Sequence, residues 1–173
     1  MDFSLNDEQA LLSDSIDKFI RKDYSFELRR QLAESETGYS SDNWKQFSEL
    51  GWLGIPFAEA WGGFGGGPLE TTIVMEAFGR GLVTEPWLST VILSGKLIEK
   101  LCTEEQKQEL LAEIIGGRMQ VSLACYEPQA RNHLSNVLTR AERAGDEYVL
   151  NGKKSVVLNA GSADKLLVAA RTG

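Results

Sequence analysis

Apolar residues recur every three to four positions from Asn6 to Gly117, and every second position beyond it, so the chain reads as helices followed by strands. Leu5, Leu12, Ile16, Phe19 and Ile20 share one face and Asp14, Asp17, Lys18 and Arg21 the other. With Asn6 and Gln9 spaced as a capping box, this predicts a helix over 6–22. A second, over about 25–34, carries Phe26, Leu28 and Leu32. A third starts in Ser40–Ser41–Asp42, presents Trp44, Phe47 and Leu50, and stops at Gly51, where a left-handed residue costs glycine little. Residues 52–68, WLGIPFAEAWGGFGGGP, hold six of the chain's 17 glycines and read as a tight loop with aromatics beneath it. Pro68 opens a helix through Ile73, Val74, Ala77 and Phe78 that ends near Gly79–Gly81. The next begins at Thr84–Glu85–Pro86; its run WLSTVILSGKLIEKL is apolar on nearly every face, which predicts a central position in the fold. A last helix starts at Thr103, with Gln106 three residues on, and ends at Gly116–Gly117.

The expected strands are MQVSLACYE, NVLTRAERA, EYVL after the Gly145–Asp146 turn, KKSVVLNA after a hairpin at Asn151–Gly152, and KLLVAAR. The fold class is therefore α+β: an all-α unit of six or seven helices over 1–118, then the first strands of an antiparallel β unit over 119–173. A small sheet with one apolar face needs a second layer. Either the helices supply it or the natural chain continues, and an uncovered edge after Lys165–Arg171 predicts a loose β segment.

Charge supports the division, with 20 acids and 11 bases in residues 1–118 against 5 and 7 in the remainder. A net charge of −7 and the lack of a basic run exclude the footprint of a nucleic-acid or anionic-membrane binder. An acidic N-terminus and the lack of an 18-residue apolar stretch predict a soluble, cytoplasmic protein without a signal peptide. Cys102 and Cys125 lack CxxC spacing and read as free buried thiols. No cluster has metal-ligand spacing, and the glycine loop spells neither GxxxxGK[ST] nor GxGxxG. His133, the one histidine, reads as a loop residue facing solvent. Glu104 and Glu105 suit a helix N-terminus. Arg29–Arg30 and Lys153–Lys154 read as solvated pairs, and the tryptophans at 44, 52, 61 and 87 as core. No catalytic constellation emerges from these arguments.

Three strings, in order, resemble the acyl-CoA dehydrogenase family of flavoenzymes. LGWLGIPFAEAWGGFGGGPLET, residues 50–71, is similar to that family's LGxLGxPxxxGGxG stretch. ACYEPQARNHL, residues 124–134, stands at the place of its TEPxAGSD loop and keeps Glu127, Pro128 and Ala130. GDEYVLNGKKSVVLNAGSAD, residues 145–164, is similar to GDxYxLNGxKxWITNAxxAD. The opening MDFSLNDEQ, the GGFGGGPLET loop, EPQAR and SVVLNA look closest to the branch that includes the small subunit of pimeloyl-CoA dehydrogenase.

The resemblance implies an N-terminal helical domain, a middle β domain and a C-terminal four-helix domain that these 173 residues lack. It implies desaturation of an acyl-CoA: a glutamate base removes the α proton and hydride passes to FAD. That base belongs to the C-terminal domain, so no catalytic residue is assigned here and the chain alone is expected to be inactive. It further implies an electron-transferring flavoprotein as acceptor, and a homo-oligomer or a hetero-oligomer with a paralogous subunit. The flavin contacts carry over to Leu123, Cys125 and Tyr126, to Asn132 in place of a serine that meets bound ligands, and to Val156 and Leu158 in place of the Trp and Thr of WIT. Trp87 and Ser89 are candidate lining of the acyl pocket, with Asn132 beside the substrate. Losing a stacking ring and two hydroxyls removes about 1 kcal/mol per contact. The chain is then the N-terminal portion of an FAD-holding subunit, a structural subunit supporting a partner's flavin, or a free-standing helical binding module.

Overall fold

The computed structural model describes residues 4–131 and 133–172. Six α-helices lead into four short strands: α1 Asp7–Asp23, α2 Phe26–Glu34, α3 Ser41–Glu49, α4 Pro68–Gly81, α5 Lys96–Leu101 and α6 Glu104–Ile115, then β1 Val121–Ala124, β2 Arg140–Ala144, β3 Glu147–Asn151 and β4 Lys165–Val168. Capping sets the helix starts. Asn6 Oδ1 accepts the Gln9 N–H at 2.8 Å while Gln9 Oε1 accepts the Asn6 N–H at 3.0 Å; Thr103 and Gln106 repeat the exchange at α6. Gly67 before α4 has no side chain to cap with, so the Glu70 carboxylate takes its N–H at 2.7 Å and binds Gln9 Nε2 of α1 at 2.7 Å. These bonds hold the Glu70 carboxyl below its ordinary pKa, the Gln9 bond contributing most.

An aromatic cluster forms the core. Phe47 of α3, wholly buried, meets Phe19 of α1 at 5.3 Å, Trp52 at 5.0 Å and Phe78 of α4 at 5.1 Å between ring centroids. The glycine loop folds back on residues 54–58: the Phe64, Gly65 and Gly66 N–H groups donate to the carbonyls of Gly54, Phe57 and Ile55. A Cβ at Gly63 would overlap the Phe57 carbonyl, so that return path admits only glycine there. The tight loop expected from the sequence is therefore present.

The helix expected from Thr84 onward differs. Residues Leu88–Gly95 are π-helical and run directly into α5. The Ser89 hydroxyl donates to the Pro86 carbonyl, Thr90 and Ser94 bond β1, and the Phe57 ring lies against Gly95, so tertiary partners compete with the helical ladder through this stretch. Its burial is as predicted, with Val91, Ser94 and Gly95 inside.

In the β segment, β2 and β3 form the expected antiparallel hairpin across Gly145, whose φ is +68°. β1 pairs with β4 in parallel, Val121 opposite Lys165 through Ala124 opposite Val168. The strand expected over KKSVVLNA, and its Asn151–Gly152 hairpin, do not form. Val156 and Asn159 adopt positive φ, of 52° and 59°, which breaks an extended run. The helices cover β1, whereas Leu138, Tyr148, Val149 and Leu150 of the hairpin region stay more than half exposed. Both cysteines are free and half-buried rather than fully buried. No helix among the described residues is long and apolar enough to cross a membrane.

Candidate functional site

The site grows from the free edge of β1. Ala124 accepts the Ala169 N–H at 3.1 Å, so Ala124 faces the β4 side. By the two-residue alternation of a strand, Val121, Leu123 and Cys125 turn their backbone groups to the opposite edge. At Val121 that edge is closed by side chains of the π-helical segment: Thr90 Oγ1 accepts its N–H at 3.3 Å and the Ser94 hydroxyl donates to its carbonyl at 3.0 Å. Beyond Val121 the edge is open, and the Cys125 N–H and C=O have no partner among the described residues.

The segment 154–158 lies beside the end of β1. The Ser155 N–H donates to the Tyr126 carbonyl at 3.0 Å. One residue along, Lys154 Nζ donates to Glu127 Oε1 at 2.7 Å, with side chains only 10% and 2% exposed. Glu127 also accepts the Thr139 hydroxyl at 2.6 Å, the Thr139 N–H at 3.0 Å, the Leu138 N–H at 2.8 Å and Gln129 Nε2 at 2.6 Å. Lys154, and after it the Thr139 hydroxyl, hold the Glu127 carboxyl far below the usual carboxylate range. A second tie fastens the base of β1. The Asp164 carboxylate accepts the Gln120 N–H at 2.7 Å, and Asn159 Nδ2 donates to the Gln120 side-chain carbonyl at 3.1 Å.

Leu123 and Cys125 thus lie on the open edge of β1 and Tyr126 just past its end, while the segment that carries Val156 and Leu158 runs from the Tyr126 carbonyl, bound by Ser155, back to the Gln120 side chain, bound by Asn159. Tyr126, Val156 and Leu158 are 43%, 76% and 48% exposed. Asn132 lies outside the described residues. Trp87 and Ser89 are both buried in the helical core. Trp87 Nε1 donates to the Trp52 carbonyl at 3.0 Å and its ring meets Phe78 edge-on, because the aromatic cluster needs a large ring there. Leu88, between them, faces outward. Lys154 is a correction, being buried on Glu127 where a solvated pair was expected. The signal that separates it from Lys153 is the apolar-alternating string around it, and its acidic partner lies 27 positions earlier.

The chemistry available is that of a binding platform: an open strand edge offering backbone donors and acceptors in alternation beside apolar side chains. This suits a flat heterocycle whose rim alternates donors and acceptors. Among the described residues no group of three or more His, Cys, Asp or Glu is placed to hold a metal. A cleft of about 730 Å³ lies elsewhere, between α1 and the glycine loop; Leu12, Trp52, Phe64 and Glu70 are among its lining residues, and none of β1.

Comparison with known proteins identifies the family of this fold. The chain is 34% identical over 170 residues to the mitochondrial isovaleryl-CoA dehydrogenase of Bos taurus, covering 97% of this chain and 40% of that protein. It superposes with a TM-score of 0.86 and 25% identity on a chain of the ChsE4-ChsE5 complex from Mycobacterium tuberculosis, covering 99% of this chain and 46% of that one. The FAD complex of PigA gives the same TM-score and identity, over 100% and 46% of the two chains. The chain therefore spans less than half the length of these relatives. Residues 6–118 match the acyl-CoA dehydrogenase N-terminal domain, and the chain belongs to the acyl-CoA dehydrogenase family.

Proposed function

We propose that this chain is the N-terminal part of an FAD-dependent acyl-CoA dehydrogenase subunit, its helical unit ending near residue 118, and that the end of β1 seats the flavin ring. The observation that carries the reading is the open edge at Leu123 and Cys125, with segment 154–158 docked at Tyr126 just beyond it. The backbone groups of these two residues would hold the pyrimidine rim, and Val156 and Leu158 would lie against the ring with their apolar surfaces. The Tyr126 hydroxyl stands where the family has a threonine. Bound there, FAD supplies the hydride acceptor for α,β-desaturation of an acyl-CoA thioester. Exclusion of water from that edge falls to the helical side, where Thr90 and Ser94 close the strand at Val121. The acyl-CoA substrate, an electron-transferring flavoprotein as acceptor, and assembly with like or paralogous subunits belong to the same reading. The pimeloyl-CoA dehydrogenase small-subunit branch is its finer form.

A second reading is favoured by Val156, which is 76% exposed and lacks the aromatic ring of the family's stacking position. In it the chain belongs to a structural subunit of a heteromeric dehydrogenase whose partner holds the flavin; one similar chain comes from a two-protein complex. The visible spectrum of the purified full-length gene product during FAD titration separates the two. Stoichiometric uptake with a resolved flavin band supports the first reading. A protein that takes no FAD alone, and gains the band only when mixed with a paralogous subunit, refutes it and supports the second.

A further inference from the structure

Two rungs join the end of β1 to segment 154–158: Ser155 on Tyr126 through the backbone, and Lys154 on Glu127 through side chains. We infer that Glu127 and Lys154 are a positioning pair, which sets the spacing between the strand edge 123–126 and segment 155–158 so that both meet one face of a bound flavin. This rests on the flavin-seating reading above.

Three observations support it. Glu127 collects donors from residues 129, 138, 139 and 154, so one buried carboxylate ties its own loop to the two chain ends that leave the β2–β3 hairpin. Segment 152–154 has no slack: a Cβ at Gly152 would lie 2.6 Å from Thr139 Cα, so Gly152 rests directly on the residue that Glu127 binds. The segment then leaves the clamp through Val156, in a left-handed conformation that a β-branched residue adopts only when its surroundings impose it. A generic surface ion pair would explain none of this, because exposed pairs hold little and fix nothing.

The pair touches no ring itself; it acts by holding Tyr126 and Ser155. The test compares Lys154→Met and Lys154→Arg with the wild type in the full-length protein. FAD affinity is read by quenching of flavin fluorescence, the visible circular dichroism by titration to saturation, and the thermal midpoint without FAD. Displacing one of two facing segments predicts about a 10-fold or greater loss of FAD affinity and an altered dichroic band for the methionine variant. The arginine variant, which keeps the charge, should recover affinity to within about 3-fold. If the methionine variant fails to fold, Gly152→Ala makes the same displacement without touching either charge and should give the same spectral change. An unchanged affinity and band in the variant that folds overturns the positioning role and leaves the flavin reading intact. A wild type that takes up no FAD overturns both.

Discussion

Gly95 offers a test in which two opposed effects of known size compete. It has helical dihedrals, φ −60° and ψ −43°, between the π-helical segment and α5. At such a position Gly→Ala ordinarily gains about 1 kcal/mol from reduced backbone freedom in the unfolded chain. Here the added Cβ would lie 2.5 Å from Phe57 Cζ, 2.9 Å from Cε1 and 3.1 Å from the Thr90 carbonyl. Carbon atoms in contact keep about 3.5 Å, so the ring must retreat by about 1 Å. It has no room to do so, since Phe57 is wholly buried. Overpacking of this kind costs about 1–3 kcal/mol, and with the propensity gain offset the net loss should be about 0–2 kcal/mol. Phe57→Leu removes the obstructing ring edge, so Gly95→Ala in that background should turn neutral or stabilising, a coupling of about 2 kcal/mol. Urea unfolding followed by tryptophan fluorescence measures all four corners of the cycle. A Gly95→Ala variant more stable than the wild type, or a cycle with no coupling, would show that Phe57 does not dictate the glycine.

Other outcomes follow from the site and the core. Thr90→Val and Ser94→Ala each leave a backbone group of Val121 without its partner and should cost about 1–2 kcal/mol; a combined loss under about 0.5 kcal/mol would refute the edge-closing role. Glu127, held below the ordinary 4.5, contributes its full stabilisation above that pH and loses it as pH falls toward the folded value. The wild type should therefore lose stability on acidification more steeply than Glu127→Gln, and parallel profiles would count against the buried pair. Tyr24 behaves in the opposite sense. Burial pushes its hydroxyl up to about 12, so its contribution is complete below about pH 10 and fades as pH rises through the folded value. Tyr24→Phe, which lacks the bonds to Thr84, should flatten the alkaline limb of a stability–pH curve; an unaltered limb would refute it.

Much of the helical part was legible because its signals are local. Asn6, Ser25, Ser40 and Thr103 cap the helices predicted to start at or beside them, and Gly51 and Gly117 take left-handed conformations, φ +77° and +68°, just after helices end. Each of these reads from residues within four positions, the span over which a cap or a helical hydrogen bond acts.

The rest depended on partners far along the chain. Alternation in KKSVVLNA suggested a strand, but a strand needs a neighbour, and Lys154 and Ser155 find theirs in Glu127 and Tyr126 instead. β1 and β4 pair in parallel across 40 intervening residues, an orientation that no two-residue turn could announce. The partners of Trp87 and Ser89, the Phe78 ring and the Pro86 carbonyl, likewise become visible only in the folded chain. Local pattern thus set where helices begin and end, because those costs are met within one turn. Tertiary structure decided which strand edge stays open and which lysine is buried, because desolvation and pairing are settled only when distant segments meet.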